Sequence, residues 1–246
     1  MTTVRAAFTA LGCSTAALAL AACGPLGAGK AQPASTALAD RPAAEIGTKA
    51  LAAMKSASTM TVDLDGITDG EPMKYHMTMT RTGDCQGNLT MEGGNVRLLK
   101  SGAFLYMKGD DAFWSSQGSD GKAAQEVIGK RWMKTSASGP DSKEFLQACD
   151  LKAFLAELDK EEDGDDDGTK GKPTTVDGIP ALPITGKDGA ETITAYVATQ
   201  GKPYILKVVT KGGKEPGTLR FTDFDKAAAV QVPAAKDVVD IDKMGS

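Results

Sequence analysis

The chain has little of what most hydrolases, nucleotide-binding enzymes and metal proteins use. Of its 246 residues only His76 is a histidine, and the sequence contains no GxSxG, Walker or dinucleotide-binding glycine motif. His76 occupies a polar position in an alternating stretch and has no HxxxH partner, which favours an exposed strand histidine over a metal ligand. Catalysis by a Ser/Lys pair or by paired carboxylates stays open. We predict a protein that is not an enzyme, with no catalytic residue, metal or cofactor.

Long apolar runs are absent after the N-terminal segment. That segment carries Arg5, then an apolar stretch over residues 6–22 that ends in Leu20-Ala21-Ala22, then Cys23. A cysteine that follows a short apolar run and small residues is typical of a bacterial lipoprotein signal peptide. We predict cleavage before Cys23 and its acylation by diacylglycerol and palmitate-like chains. The alternatives are an ordinary cleaved signal, a membrane helix, for which the run is short, or lipidation at Cys13, whose flanking residues fit less well.

Composition divides the chain into three parts. Residues 1–22 form the signal peptide, and residues 23–40, rich in Gly, Pro, Ala and Ser, form a flexible tether. Residues 41–246 are long enough to bury the core of a single domain. The predicted location is therefore the extracytoplasmic face of the cell membrane, with the acyl chains on Cys23 as the only anchor.

Basic residues are in the minority. The formal net charge of −4 becomes −5 when Arg5 leaves with the signal peptide, and the lysines are scattered among more numerous carboxylates. Because binding to nucleic acid requires clustered Lys and Arg, we exclude nucleic acid as a partner.

Cysteine is scarce, with four residues in all. Once the signal peptide and the lipidation site are set aside, Cys85 and Cys149 remain. In an exported protein two such thiols are expected to pair, and their separation matches no close metal-ligand or CxxC spacing. We predict a structural disulfide, the alternatives being two unrelated thiols or a redox or metal pair.

Hydrophobic periodicity predicts the order helix, strands, helices, strands. Apolar residues recur at helical spacing over 43–57, whereas residues 60–106 alternate between apolar and polar with turns between the runs. Short helices are predicted at 110–114, 123–128 and 142–158, and alternation resumes from Ile184 to Phe221. An antiparallel sheet with one apolar face needs a cover. We therefore predict an α+β fold in which a curved antiparallel sheet wraps around helices.

Seven short pieces, spread over nearly the whole mature chain, form a pattern that includes no catalytic signature. They are Lys49-Ala50-Leu51 to Ser56-Ala57-Ser58, Gly83-Asp84-Cys85-Gln86-Gly87, Leu105-Tyr106-Met107-Lys108 with Phe113-Trp114, Gly129-Lys130-Arg131-Trp132, Val176-Asp177-Gly178-Ile179-Pro180, Ala195-Tyr196-Val197 with Pro203-Tyr204, and Phe221-Thr222-Asp223-Phe224. In these pieces and their order the chain resembles the actinobacterial envelope lipoproteins of the LppX/LprG type, which share the LolA/LolB-like lipoprotein-carrier fold.

This resemblance implies an open half-barrel with an apolar cavity that holds acyl chains of lipids or glycolipids. Large apolar pockets are common ligand sites, and methionine adapts to irregular ligands. The candidate lining residues are Met54, Tyr75, Met77, Met79, Leu98, Phe104, Tyr106 and Leu206. The alternative is that they form an ordinary core. The predicted function is a non-enzymatic lipid binder or carrier, and the second hypothesis is an envelope sensor or interaction module with a filled cavity and an envelope protein as partner.

An acidic loop at about residues 159–170 resembles the first half of a calcium-binding EF-hand loop. Asp163, Asp165, Asp167 and Gly168 match that half, but Gly171 and Thr174 stand at the ninth and twelfth positions, where the pattern requires other ligands. A solvated acidic loop is the favoured interpretation.

Overall fold

The computed structural model describes residues 36–91, 93–139, 142–160 and 168–244. The predictions for the signal peptide, Cys13, Cys23 and most of the tether lie outside these residues. So do those for the acidic residues 161–167, which include three of the four residues that match the EF-hand pattern.

The described residues form six α-helices and thirteen β-strands. The helices are α1 (Thr36–Ala39), α2 (Ala43–Ser56), α3 (Asp111–Ser116), α4 (Gly118–Ile128), α5 (Lys143–Gln147) and α6 (Leu151–Lys160). The first strands are β1 (Thr59–Thr68), β2 (Glu71–Thr80), β3 (Cys85–Met91), β4 (Gly94–Ser101), β5 (Phe104–Gly109) and β6 (Trp132–Ser136). The others are β7 (Thr169–Lys170), β8 (Thr174–Val176), β9 (Ile179–Asp188), β10 (Glu191–Ala198), β11 (Ile205–Lys211), β12 (Gly217–Thr222) and β13 (Val238–Asp240).

One sheet contains all of these strands. Its order is β13-β6-β5-β4-β3-β2-β1-β12-β11-β10-β9-β7, with β8 also paired to β9. Neighbouring strands are antiparallel except β13 and β6, which are parallel. The first strand and the twelfth are neighbours in the middle of the sheet, where β1 pairs with β12 and Thr61 lies opposite Thr222. The predicted α+β class and the large curved sheet with few helices are confirmed.

Helices cover one face of the sheet, which we call the inner face. Helix α2 follows Pro42 and buries Ile46, Ala50, Leu51 and Met54 on one side, since residues three and four apart lie on the same helix face. The short helix α1 lies within the segment predicted as tether, and its Leu38 and Ala39 pack against the core.

Helix α3 is held against β4 by two local features. The Asp110 carboxylate accepts a hydrogen bond of 2.9 Å from the backbone N–H of Phe113, and this bond lowers the pKa of Asp110. Gly94 allows the close approach, because a Cβ at this position would collide with the backbone of Phe113. The helix then buries Phe113 and Trp114.

Two elements at one sheet edge are missing from the predictions. Strand β6 lies between the predicted helical segments, and β13 returns from the C-terminal end to pair with it. Residues 223–237 connect β12, in the middle of the sheet, to β13 at its edge. On the way, the backbone N–H of Gln231 donates to Gln86 Oε1 of β3 at 2.9 Å.

Candidate functional site

The inner face of the sheet and the helices that cover it enclose an apolar layer. Helices α2 and α6 contribute Ile46, Ala50, Leu51, Met54, Leu151 and Leu155 to it. The strands contribute Met60, Val62, Met77, Met79, Leu89, Val96, Leu98, Leu105, Met107, Leu182, Val197, Ile205 and Phe221. Five of these buried residues are methionines, whose unbranched side chains fill irregular spaces and rearrange easily.

Four of the predicted cavity residues meet in this layer. Met54, Met77 and Leu98 have no exposed surface, and Met79 is 1% exposed. A side chain with no accessible surface contacts no void that could hold a water molecule. The layer is therefore filled around these residues, and their contact with a ligand stays a prediction.

Tyr75 joins the sheet to the helical cover. Its hydroxyl donates a 2.6 Å hydrogen bond to the carbonyl of Ala148, in the turn between α5 and α6. Burial raises the pKa of the Tyr75 phenol, since the phenolate would lose its hydration. This predicted cavity residue thus packs against the layer with its polar end satisfied.

A disulfide fixes the same turn. The structure joins Cys85 of β3 to Cys149, with 5.4 Å between the two Cα atoms and a sequence separation of 64. This is the pairing predicted from the cysteine count. Cys149 directly precedes the loop into α6, so the disulfide and the Tyr75 hydrogen bond hold both short helices over β2 and β3.

The other three predicted cavity residues lie elsewhere. Phe104 is 41% exposed and Tyr106 is buried outside the main core, because Leu105 and Met107 occupy the inward positions of β5 and side chains alternate along a strand. Leu206 belongs to a separate small cluster with Val176 and Ala198. A role of these three residues in ligand binding, like that of the other five, stays a prediction.

The opposite face, which we call the outer face, carries a cavity of about 590 Å³. We name it the outer groove. It crosses five adjacent strands from β12 to β4. Its outward side chains are Asp63, Asp65, Lys74, His76, Asn88, Thr90, Asn95, Thr218 and Arg220.

Ion pairs inside and beside the outer groove balance its charge. Lys74 contacts Asp65 at 2.7 Å, and the His76 ring contacts Asp63. Arg220 contacts Asp177, outside the groove, at 2.9 Å. All of these side chains are at least two-fifths exposed, so the pairs contribute little to stability. The expected exposed position of His76 is what the structure shows.

A smaller cavity of about 290 Å³, lined in part by the apolar residues 227–230, borders the groove. It lies between the C-terminal segment at residues 226–230 and a row formed by Thr61, Thr78 and Gln86. Each of these residues is two positions along its strand from Asp63, His76 or Asn88, so the two cavities lie next to each other on the same face.

The described residues contain neither a cluster of metal-binding side chains nor a membrane-spanning helix. No group of three or more His, Cys, Asp or Glu side chains there could hold a metal ion. No helix within the same residues has the length and apolarity needed to cross a membrane. The two later positions of the EF-hand pattern, Gly171 and Thr174, lie before and at the start of β8.

Sequence reasoning did not find the outer groove. Its side chains come from strands that are distant in the chain, and only the pairing of β1 with β12 brings Thr218 and Arg220 beside Asp65 and Asp63. The available signal was the polar half of each alternating stretch, which reveals a site only once the strand order is known.

Comparison with known proteins identifies the fold. No protein-family model matches the chain, and no curated protein matches it in sequence. The crystal structure of the lipoprotein LppX from Mycobacterium tuberculosis superposes with a TM-score of 0.50 at 14% identity, over 78% of this chain and 100% of that one. LprF from Mycobacterium bovis superposes with a TM-score of 0.55 at 13% identity, over 78% of this chain and 97% of that one. The chain has the LppX/LprF fold, which confirms the predicted resemblance at the level of fold.

Proposed function

We propose that this chain, which has the fold of LppX and LprF, is a non-enzymatic binder or carrier of lipids in the cell envelope. Its anchor is an acylated Cys23, and its mature part faces the extracytoplasmic side of the cell membrane. The observation that carries the proposal is the methionine-rich apolar layer between the sheet and two amphipathic helices.

The chemistry of the layer suits an acyl chain. Each CH₂ group moved from water into an apolar environment gains about 0.8 kcal/mol, so a long chain supplies the free energy for its own transfer. The layer is filled around Met54, Met77 and Leu98, so an acyl chain enters there only as side chains and helices move apart. Methionines at Met54, Met77 and Met79 lower the cost of that rearrangement.

Native mass spectrometry tests this function directly. The full chain with Cys23→Ser, secreted through its own export route, is sprayed intact and its lipid content is then extracted. We expect adducts of lipid mass that Met77→Trp reduces at least tenfold, because the larger ring occupies the layer. Met244→Trp is the control, since Met244 is 56% exposed, and it should retain the adducts.

A second function is favoured by the absence of exposed surface on Met54, Met77 and Leu98. A filled layer fits an interaction or sensor module that presents its surface to another envelope protein. This alternative predicts a clean apo mass after incubation with envelope lipids, and unchanged thermal stability on adding them. Such a result would contradict the lipid carrier.

A further inference from the structure

We propose that the outer groove is a binding site for a neutral carbohydrate chain. This site is separate from the apolar layer, because the sheet itself lies between them. The proposal is independent of lipid binding.

The size and position of the groove fit a chain molecule. Its volume of about 590 Å³ lies within the range of ligand pockets. Five adjacent strands form its floor, and at about 4.8 Å between neighbouring strands it extends for about 19 Å across the sheet. The smaller cavity of about 290 Å³ borders it at Thr61, Thr78 and Gln86. An extended oligomer therefore matches this surface better than a compact ligand does.

The charge of the groove favours a neutral ligand. Its lining holds two carboxylates, Asp63 and Asp65, and two permanent cations, Lys74 and Arg220, of which Arg220 pairs with Asp177 outside the groove. Lys74 contacts Asp65, and His76 contacts Asp63. An anion would meet two carboxylates, and a cation would meet Lys74 and Arg220, so neither charge sign gains a net attraction.

The hydrogen-bonding groups favour hydroxyls. Among the described residues, the side chains of Asn88 and Thr218 have no hydrogen-bond partner in the protein, although both line the groove. Asn88 offers two donors and one acceptor oxygen, and Thr218 offers a hydroxyl that donates and accepts. A sugar hydroxyl likewise does both, so a carbohydrate matches this mixture without requiring a charge partner.

The source of the carbohydrate follows from the position of the sheet. A glycolipid whose acyl chains occupy the apolar layer would have to pass its head group around a sheet edge to reach the groove. A polysaccharide chain of the envelope meets no such obstacle, and we assign the groove to that source.

The experiment is an NMR titration of the full chain with Cys23→Ser. The probes are linear hexasaccharides of glucose, mannose and N-acetylglucosamine at up to about 20 mM, a range that detects weak millimolar binding. With at least one probe we expect saturable shifts of the Asn88 side-chain amide and of the backbone signals of Asp63 and Thr218. Absence of such shifts with all three, or shifts confined to another surface, would overturn the proposal.

Matched threonine variants locate the binding. Thr218 and Thr194 both lie opposite Val209, one on each side of β11, but only Thr218 lines the groove. Thr218→Val should weaken binding at least fivefold, and Thr194→Val should leave it unchanged. Equal effects of the two variants would contradict the assignment.

Two further arms separate the possible ligand classes. Inorganic phosphate at the same concentration should neither shift the Asn88 amide nor compete, and competition would indicate an anion site instead. Met77→Trp should leave the hexasaccharide affinity unchanged while it reduces the lipid adducts at least tenfold. Loss of both, in a variant whose NMR spectrum still shows the folded protein, would place the carbohydrate in the apolar layer and overturn the proposal.

Discussion

The inner and outer faces of the sheet differ in polarity and in burial. On β2, Met77 and Met79 are buried, whereas His76 between Tyr75 and Met77 is exposed. The inner face is apolar and filled, and the outer face is polar and open. Because burial of apolar surface stabilises the fold, the inner residues fix the structure. The outer residues contribute little to stability and are therefore free to serve recognition.

Removing the disulfide should lower the free energy of unfolding the most, because this bond attaches the helical cover to the inner face. In the chain-entropy model, closing a loop of this length contributes about 4 kcal/mol. We expect Cys85→Ala with Cys149→Ala to lower the free energy of unfolding by that amount in urea titrations. Each single variant should lose as much as the double variant. A loss below about 1 kcal/mol in the double variant would show that the apolar layer alone holds α5 and α6.

Shortening one side chain on each face compares how much the two faces contribute to stability. Leu98→Ala removes a fully buried side chain and should cost about 3 kcal/mol, from lost burial and the cavity left behind. Asn88→Ala, on the outer side of the adjacent strand β3, should change stability by less than about 0.5 kcal/mol. Thermal and urea unfolding of both variants measure the difference. Similar losses in the two variants would mean that the outer face also carries the fold.

Asp225, just after β12, links three separate segments of the chain through its carboxylate. Its carboxylate accepts hydrogen bonds from Lys202 Nζ, the Ser58 backbone N–H and the Tyr204 hydroxyl. These contacts lower the pKa of Asp225 below the ordinary value of 3.8, and the hydrogen bond from Lys202 has the largest effect. The stabilisation is therefore present above about pH 4 and is lost as the pH falls further.

Asp225→Asn should accordingly cost about 1 kcal/mol at pH 7, since the contacts are partly exposed. The deficit relative to the unchanged chain should shrink between pH 4 and pH 2. Urea midpoints across this range measure it, with Asp188→Asn, on the exposed end of β9, as the control. A deficit that stays constant with pH would contradict the role of the charge.

Tyr75→Phe should lower stability by about 1 kcal/mol at pH 7, from the lost hydrogen bond to Ala148. Burial raises the Tyr75 pKa, so above about pH 10 the unfolded phenol ionises while the folded one keeps its proton, and stability falls with pH. The variant lacks this term, and its deficit should narrow above pH 10. Melting temperatures at pH 7 and 10.5 measure it, and a widening deficit would contradict the burial of the phenol.

Periodicity predicted the helix α2 and most strands, because each has one apolar and one polar side. It failed on β5, where Phe104, Leu105, Tyr106 and Met107 are all apolar or aromatic. A period of two cannot select the inward face in such a run, so it does not show that Leu105 and Met107, rather than Phe104 and Tyr106, belong to the apolar layer. Strand β13 escaped prediction because three residues are too few to show a period.

The candidate sites also differ in how far the sequence predicts them. The disulfide and four residues of the apolar layer follow from local composition and pattern. The outer groove depends on the pairing of β1 with β12, which no local pattern in either strand specifies. Sites built across distant strands are therefore the ones that sequence reasoning misses.

The pairing of β1 with β12 also sets the order in which the chain can fold. Strands β1 to β5 form successive local hairpins, and β9 to β12 form another such series. The two series join only when Thr61 meets Thr222, and contacts this distant in sequence form late because closing the loop costs chain entropy. Until synthesis passes β12, the first strand keeps an unpaired edge. A nascent chain therefore exposes an aggregation-prone strand edge near its N-terminal end for most of its synthesis. The yield of folded protein in the cell then depends on how well that edge is protected from other chains.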